Sequence, residues 1–416
     1  MRVCVVVPYD LAEEGGVKRN ALRVAEEMHS RGDDVTIIGP RVDVGRNLAS
    51  APPREAVGAP ALPRGVNEPR IRGFGGIVNI PANGSANRMA ILTAPWNVSR
   101  FFRSRSFDVV HVHEPLTPML PYYALWASPG AAHVCTFHMY AEHEPPALRV
   151  ARKVLGRATL SSYERAIAVS RPARGYAEIA WKRDLAVIPN GVSTRTFVPG
   201  DRPARIPAAG DPLRLLFVGR GDDRRKGLRC LLEAYSRLQA SGLPVTLDVV
   251  GEGARRGLPV PAGVTLHGLV PSTAGLVEHY RNCDIFVSPA LGQESFGIVL
   301  LEAMACGRPV VCSGIAGYRQ VVDPRGARMV PPGDAEALAQ AIAGLARDPA
   351  ARREMGELNR ARAEGYDWSD VADRVRSQYV EAIGERHGLA AARTHEQAAP
   401  AWGGAAAQAS LLQTRS

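Results

Sequence analysis

The chain is poor in aromatic residues, 6% of 416, and a β-sandwich or barrel built around large rings is therefore disfavoured. Ala, Val and Leu have to fill the core, which suits helices packed on parallel sheets. There is no uninterrupted apolar run of about 18 residues, so no segment reads as a membrane-spanning helix. Cys4, Cys135, Cys230, Cys283, Cys306 and Cys312 form no C-x-x-C pair and no Cys/His spacing typical of zinc, which leaves reduced thiols and a cytoplasmic setting as the expectation. The opening Met1 to Val7 lacks the charged n-region and cleavage site of a signal peptide. Neither a G-x-G-x-x-G fingerprint nor a DxD metal motif occurs where a cofactor would need it, and no solenoid period is present.

What is present fits two domains. A chain of 416 residues exceeds what one core serves at about 150 residues per domain. Lys and Arg outnumber Asp and Glu by 51 to 41, a formal charge of +10, which suits a nucleic acid, a phosphorylated substrate or an acidic membrane, or no more than an arginine-rich surface. With few aromatics and no nucleic-acid-binding module, the first of these is disfavoured.

Val3 to Val7 is a β-branched apolar run that reads as a central parallel strand; Ala21 to Arg31 has helical spacing, and Asp34 to Ile38 returns as a strand. Residues from Val42 to Asn83 read as a long irregular excursion with at most one short strand. Strand-like runs resume at Val109, Ala132, Ala166 and Leu185, and after a Pro/Gly/Asp-rich linker, Gly200 to Pro212, the pattern restarts at Leu213. The expected fold is α/β, with two Rossmann-like doubly wound domains over residues 1–199 and 213–365. Residues 366–386 are expected to form a helix and 387–416 a disordered tail.

Three segments could carry chemistry. Gly15-Gly16 lies between the first strand and helix, where bare backbone can approach an anion, although a plain tight turn would look the same. Between Gly219 and Gly227, Arg220 and Lys226 flank a loop that leads into a helix, a frame for a diphosphate or a solvated basic loop. The segment Glu294-Ser295-Phe296-Gly297, with Glu302 after it, is more specific: a helix starting near Phe296 would set two carboxylates about two turns apart along an elongated ligand. His138 follows a strand and would sit at the carboxyl edge of the first sheet.

Pro8-Tyr9, Gly15-Gly16-Val17, Phe137-His138, Ile188-Pro189-Asn190-Gly191-Val192, Gly219-Arg220, Lys226-Gly227, Glu294-Ser295-Phe296-Gly297 and Glu302-Ala303 stand in one order. By them the chain resembles the family 4 glycosyltransferases of the two-domain GT-B type. Through Met1-Arg2-Val3, Asn83-Gly84-Ser85, Arg88 and His111-Val112-His113-Glu114-Pro115 it is most similar to the actinobacterial phosphatidylinositol mannosyltransferases.

The resemblance implies two domains facing across a cleft and a last helix that crosses back to the first. It implies a retaining hexosyl transfer from a nucleotide sugar, GDP-mannose first and a UDP-sugar as the alternative, without a tightly bound cofactor or a metal. The diphosphate would rest on Gly16, Arg220 and Lys226, the ribose on Glu302, the sugar on Glu294 beside His138, with Ser295, Phe296 and Gly297 completing the donor loop. His138, Arg220, Lys226 and Glu294 are thus the catalytic set, and Tyr9, Lys18, Asn83, Ser85, Arg88 and His138 the acceptor set, for an inositol phosphate head group.

Ala82, Lys18 and Met139 stand where an aromatic, Gln and Thr are usual, so a soluble cyclitol, an aminocyclitol, an inositol phosphate or another lipid stays open as acceptor. Trp96 to Phe107 interleaves aromatics with Arg100, Arg103 and Arg105, as a peripheral contact with the anionic inner face of the cell membrane would require or as an ordinary domain helix would show. A nucleotide-sugar-binding protein without turnover is the rival of another class.

Overall fold

A computed structural model describes residues 1–11, 15–40, 69–82, 85–90, 93–141, 146–200, 211–253 and 259–388. Most of the segment read as an irregular excursion, most of the linker, and the tail from residue 389 onward lie outside the described residues, as does Asn83.

The first unit runs β1 (Arg2–Val6), α1 (Gly16–Ser30), β2 (Asp34–Gly39), β3 (Arg70–Gly73), β4 (Ile77–Ala82), β5 (Ser85–Ala90), α2 (Pro95–Ser104), β6 (Val109–His113), α3 (Leu120–Ala127), β7 (Ala132–Phe137), α4 (Pro146–Leu160), β8 (Arg165–Ala168), α5 (Arg171–Ala177) and β9 (Ala186–Val187). Seven of its strands form a parallel sheet in the order β3-β2-β1-β6-β7-β8-β9. The apolar runs dictate this, because strands buried on both faces need helices on both. Val3, Val5, Val109 and Val134 pack beneath α1, while Cys4, Val6, Val110 and Cys135 point the other way, toward α2 and α3.

The second unit runs β10 (Leu213–Val218), α6 (Leu228–Ala240), β11 (Val245–Val250), β12 (Val264–Gly268), α7 (Thr273–Asn282), β13 (Ile285–Ser288), α8 (Ile298–Ala305), β14 (Val310–Ser313), α9 (Ala316–Arg319), β15 (Ala327–Val330), α10 (Ala335–Ala346) and α11 (Pro349–Glu364), and α12 (Trp368–Arg386) follows it. Its sheet is parallel, ordered β12-β11-β10-β13-β14-β15. Two Rossmann-like α/β units in tandem are the fold.

The last helix belongs to the first unit. Trp368, Val371, Val375 and Tyr379 of α12 share a core with Val3, Val5 and α1. The chain crosses where Val192 N donates to Tyr366 O at 2.8 Å. A Cβ on Gly191 would lie 2.6 Å from the Trp368 ring, which accounts for a glycine there. Val192 and Phe197 already contribute to the second unit's core.

One expectation needs correction. The excursion expected to hold at most one short strand holds two, β3 and β4, and β4 pairs antiparallel with β5, Ala82 opposite Ser85 and Asn79 opposite Arg88. The overlooked signal is the Asn-Gly dipeptide that the sequence carries between β4 and β5, a mark of strand pairing in sequence.

Gly227 shows how backbone geometry sets the second unit's loops. It has φ 74°, and a Cβ would come within 1.9 Å of Pro289 O, so the loop after β10 lies directly on the loop after β13. Gly242 has φ 77° but nothing within 4 Å of a Cβ. Gly242→Ala should therefore cost about 1 kcal/mol from the left-handed backbone alone, and Gly227→Ala at least about 2 kcal/mol more from the contact. Denaturant unfolding of both variants checks this, and equal losses would contradict it.

Candidate active site

In each sheet the connections from neighbouring central strands leave toward opposite faces, at β1/β6 and at β10/β13. Such switch points open a crevice at the carboxyl ends of the strands. The Gly15-Gly16 turn follows β1, the Arg220 to Lys226 loop follows β10, and the Glu294 turn follows β13.

α1 starts at Gly16, and its N-cap Gly15 supplies no side-chain hydrogen bond, which leaves the first-turn amides with positive partial charge. A Cβ on Gly16 would meet Ile298 Cδ1 at 3.7 Å, so the starts of α1 and α8 face one another across the units. One turn in, Arg19 forms an ion pair with Glu302 Oε1. The other carboxylate oxygen accepts the Tyr280 hydroxyl at 2.8 Å. Glu302 is only 2% exposed, and a carboxylate so buried requires such partners.

α8 begins at Ile298, two residues later than expected, because Gly297 takes φ 95° as its N-cap. Glu294 therefore stays in the turn, where it forms an ion pair with Lys226. Leu291 N donates to Arg225 O at 2.7 Å, joining the two loops through backbone. Arg220 is exposed, with Asp222 Oδ1 3.6 Å from its Nε. Phe296 is buried in the second unit's core beside Tyr366, so its ring supports the turn, while Ser295 O accepts from Gln320 Nε2 at 2.9 Å.

His138, just beyond β7, is part of a buried array. His113 Nδ1 lies 2.9 Å from His138 Nε2, and His111 bridges Tyr379 Oη and Thr136 Oγ1 at 2.7 Å each. Burial pushes His113 down to about 3 and, with the neighbouring rings, holds His111 and His138 well below the ordinary value. All three are neutral near pH 7. His113 Nε2 is buried without a partner, and an orphaned acceptor is more easily tolerated than an orphaned N–H. A proton on His113 Nδ1 would be donated to His138 Nε2 and would put the His138 proton on Nδ1.

Glu114, at φ 52°, accepts the backbone N–H groups of His138 and Met139 at 2.6 and 2.7 Å. The same carboxylate, with burial as the larger cause, pushes the Tyr9 hydroxyl well above its ordinary value. Tyr9 also bridges to Met89 of β5. Tyr9, His138 and the hairpin that carries Ser85 and Arg88 are thus brought to one region, and Lys18 is buried in α1 nearby in sequence.

Most aromatics of the Trp96 to Phe107 segment do not serve a surface. Phe101, Phe102 and Phe107 pack on one another and on Phe74, whereas Trp96 is 69% exposed, as is Trp126 of the adjoining α3.

Four residues escaped sequence reasoning in their roles here: Arg19, His113, Glu114 and Tyr280. Arg19 had a signal, a cation one turn after the paired glycines, and His113 and Glu114 stand in a quoted motif. Tyr280 had none, because its contact depends on how α7 packs on α8.

The family described as Glycosyltransferase Family 4 matches residues 14–196, and that described as Glycosyl transferases group 1 matches residues 212–348. The phosphatidyl-myo-inositol mannosyltransferase of Mycobacterium leprae is 33% identical over 386 residues, 91% of this chain and 96% of that protein. The enzyme of the same name from Mycolicibacterium smegmatis is 33% identical over 396 residues, 91% of this chain and 93% of its own. Among solved structures, sucrose-phosphate synthase from Thermosynechococcus elongatus superposes with a TM-score of 0.69 at 20% identity, over 92% of this chain and all of that one.

The neutral histidines make stability depend on pH. Their folded values lie below the ordinary 6.5, so the unfolded chain binds more protons as pH falls past that point. Stability is complete above it and declines below it, by up to about 1.4 kcal/mol per pH unit for each histidine. Between pH 7.5 and 5.5 the denaturation midpoint should fall, and His113→Phe should fall less steeply than the parent. Parallel curves would contradict the buried neutral assignment.

Proposed function

This chain belongs to glycosyltransferase family 4 and is a glycosyltransferase of GT-B architecture, and on that premise we propose that it transfers mannose from GDP-mannose to the inositol ring of phosphatidylinositol with retention of configuration. The observation that carries the acceptor is the 33% identity to the Mycobacterium leprae enzyme across 91% of this chain. What supports the donor side is the charge arrangement at the two switch points.

In this reading the diphosphate lies between the α1 amides at Gly16 and the cations Arg220 and Lys226. Lys226 and Glu294 are ion-paired to one another, and the donor exchanges their partners: the ammonium turns to phosphate and the carboxylate to sugar hydroxyls. Glu302 keeps Tyr280 and Arg19 and offers its remaining lone pairs to the ribose, since a carboxylate has about four acceptor positions. His138, held by His113 and Glu114, presents its Nδ1–H beside the sugar. Ser295 and Gly297 shape the turn.

Charge builds on the departing diphosphate in the transition state, where Arg220, Lys226 and the helix amides are already placed, so positioning and electrostatic stabilisation supply the rate. The acceptor hydroxyl enters on the face from which the phosphate leaves, and no protein nucleophile is needed. Tyr9, Lys18, Asn83, Ser85 and Arg88 receive the head group. Trp96 and Trp126, exposed on adjoining helices, suit peripheral contact with a bilayer's interfacial layer.

Lys226→Ala should weaken nucleoside diphosphate binding by about ten- to a hundredfold, the equivalent of a charge-assisted hydrogen bond of roughly 1.5–3 kcal/mol. Unchanged affinity by calorimetry would remove Lys226 from the donor site.

Mannose transfer to phosphatidylinositol vesicles and to free inositol, with GDP-mannose and UDP-sugars, tests the acceptor and donor. The vesicle reaction should dominate, with GDP-mannose as donor, and Arg88→Ala should raise the acceptor KM at parental donor affinity. Transfer to free inositol that is as fast, and indifferent to Arg88, would overturn the phospholipid reading.

A further inference from the structure

A cluster of three side chains on the second unit takes no part in the chemistry above. Asp248 is on β11, His267 on β12 and His279 on α7, and one ligand atom from each lies within 4.8 Å of the others. His267 Nε2 is 2.6 Å from Asp248 Oδ1, and the rings of His267 and His279 meet edge to face with centroids 4.4 Å apart.

His267 is placed by an irregularity in the sheet. The β11/β12 register runs Asp248 with Thr265 and Val249 with Leu266, then jumps to Val250 with Gly268. His267 is the extra residue of this bulge. Gly268, at φ 70°, closes it, its carbonyl accepting Gly251 N at 2.8 Å. Bulges at sheet edges re-aim a side chain, and β12 is the edge strand. Here the re-aimed side chain is an imidazole that meets a carboxylate from the next strand and an imidazole from the helix. The convergence of all three does not follow from any strand or helix repeat.

We propose that Asp248, His267 and His279 form a binding site for a divalent transition-metal ion of the zinc class. Two imidazole nitrogens and one carboxylate oxygen are a donor set that such ions prefer over the all-oxygen sets of magnesium and calcium. Around a tetrahedral ion with bonds of about 2.0–2.1 Å, neighbouring ligand atoms stand roughly 3.3 Å apart. The Asp248–His267 contact has to open by less than about 1 Å and the longer separations, within 4.8 Å, to close by up to about 1.5 Å, and the exposed side leaves a fourth position for water. The ion would fasten an exposed sheet edge to α7, a structural role independent of the transfer reaction.

The test uses the full chain without a histidine tag, stripped with chelator. Equilibrium dialysis against Zn²⁺ should give one equivalent per chain, and Co²⁺ should give the visible bands of a four-coordinate ion. Zn²⁺ should also raise the thermal midpoint. His267→Gln and His279→Gln, which keep side-chain bulk, should each weaken zinc binding at least about tenfold, abolish the cobalt bands and remove the thermal shift. Parental GDP affinity in both variants shows that they are folded. No saturable zinc binding in the parent, or binding that survives in both variants, would overturn the site.

Discussion

Glu302 sits in α8 of the second unit, and its carboxylate is shared between Tyr280 of α7 and Arg19 of α1. Moving a carboxylate out of water costs several kcal/mol unless it is paired and hydrogen-bonded, and one of its two partners comes from the other unit. The facing surfaces are therefore not free to choose their register. With Arg19 on Glu302, the start of α1 approaches Ile298 at the start of α8.

The same logic joins the remaining loops. Gly227 lets the loop after β10 lie against Pro289, and Lys226 reaches Glu294 only because that approach is allowed. On the first unit, Glu114 holds two successive amides at His138 and Met139, so the imidazole is oriented by backbone, by His113 and by burial together. Arg19, His113, Glu114, Gly227 and Tyr280 hold these positions without being assigned to a ligand themselves. Electrostatic stabilisation of a leaving diphosphate needs this preorganisation, because groups that must move into place contribute less.

Much of the fold was legible because apolar β-branched runs between helix-length intervals have few structural solutions. Val3 to Val7 and Leu213 to Val218 needed no partner information to read as central strands. Arg220, Lys226, Glu294 and Glu302 were grouped by the family resemblance; the structure pairs Lys226 with Glu294 and places Glu302 between Arg19 and Tyr280. What escaped depends on tertiary packing. Tyr280 meets Glu302 through helix–helix contact, and Phe101 and Phe102 turn inward because Phe74 and Phe107 receive them. The β4–β5 pair escaped because the sequence before it is weakly patterned.

The division of labour between the two carboxylates is the centre of the account, and binding of GDP and turnover of GDP-mannose by Glu294→Gln and Glu302→Gln test it most directly. Glu302→Gln should weaken GDP itself. Glu294→Gln should leave GDP affinity near the parent's and lower kcat. Loss of GDP binding in Glu294→Gln together with parental binding in Glu302→Gln would contradict the arrangement proposed for the cleft.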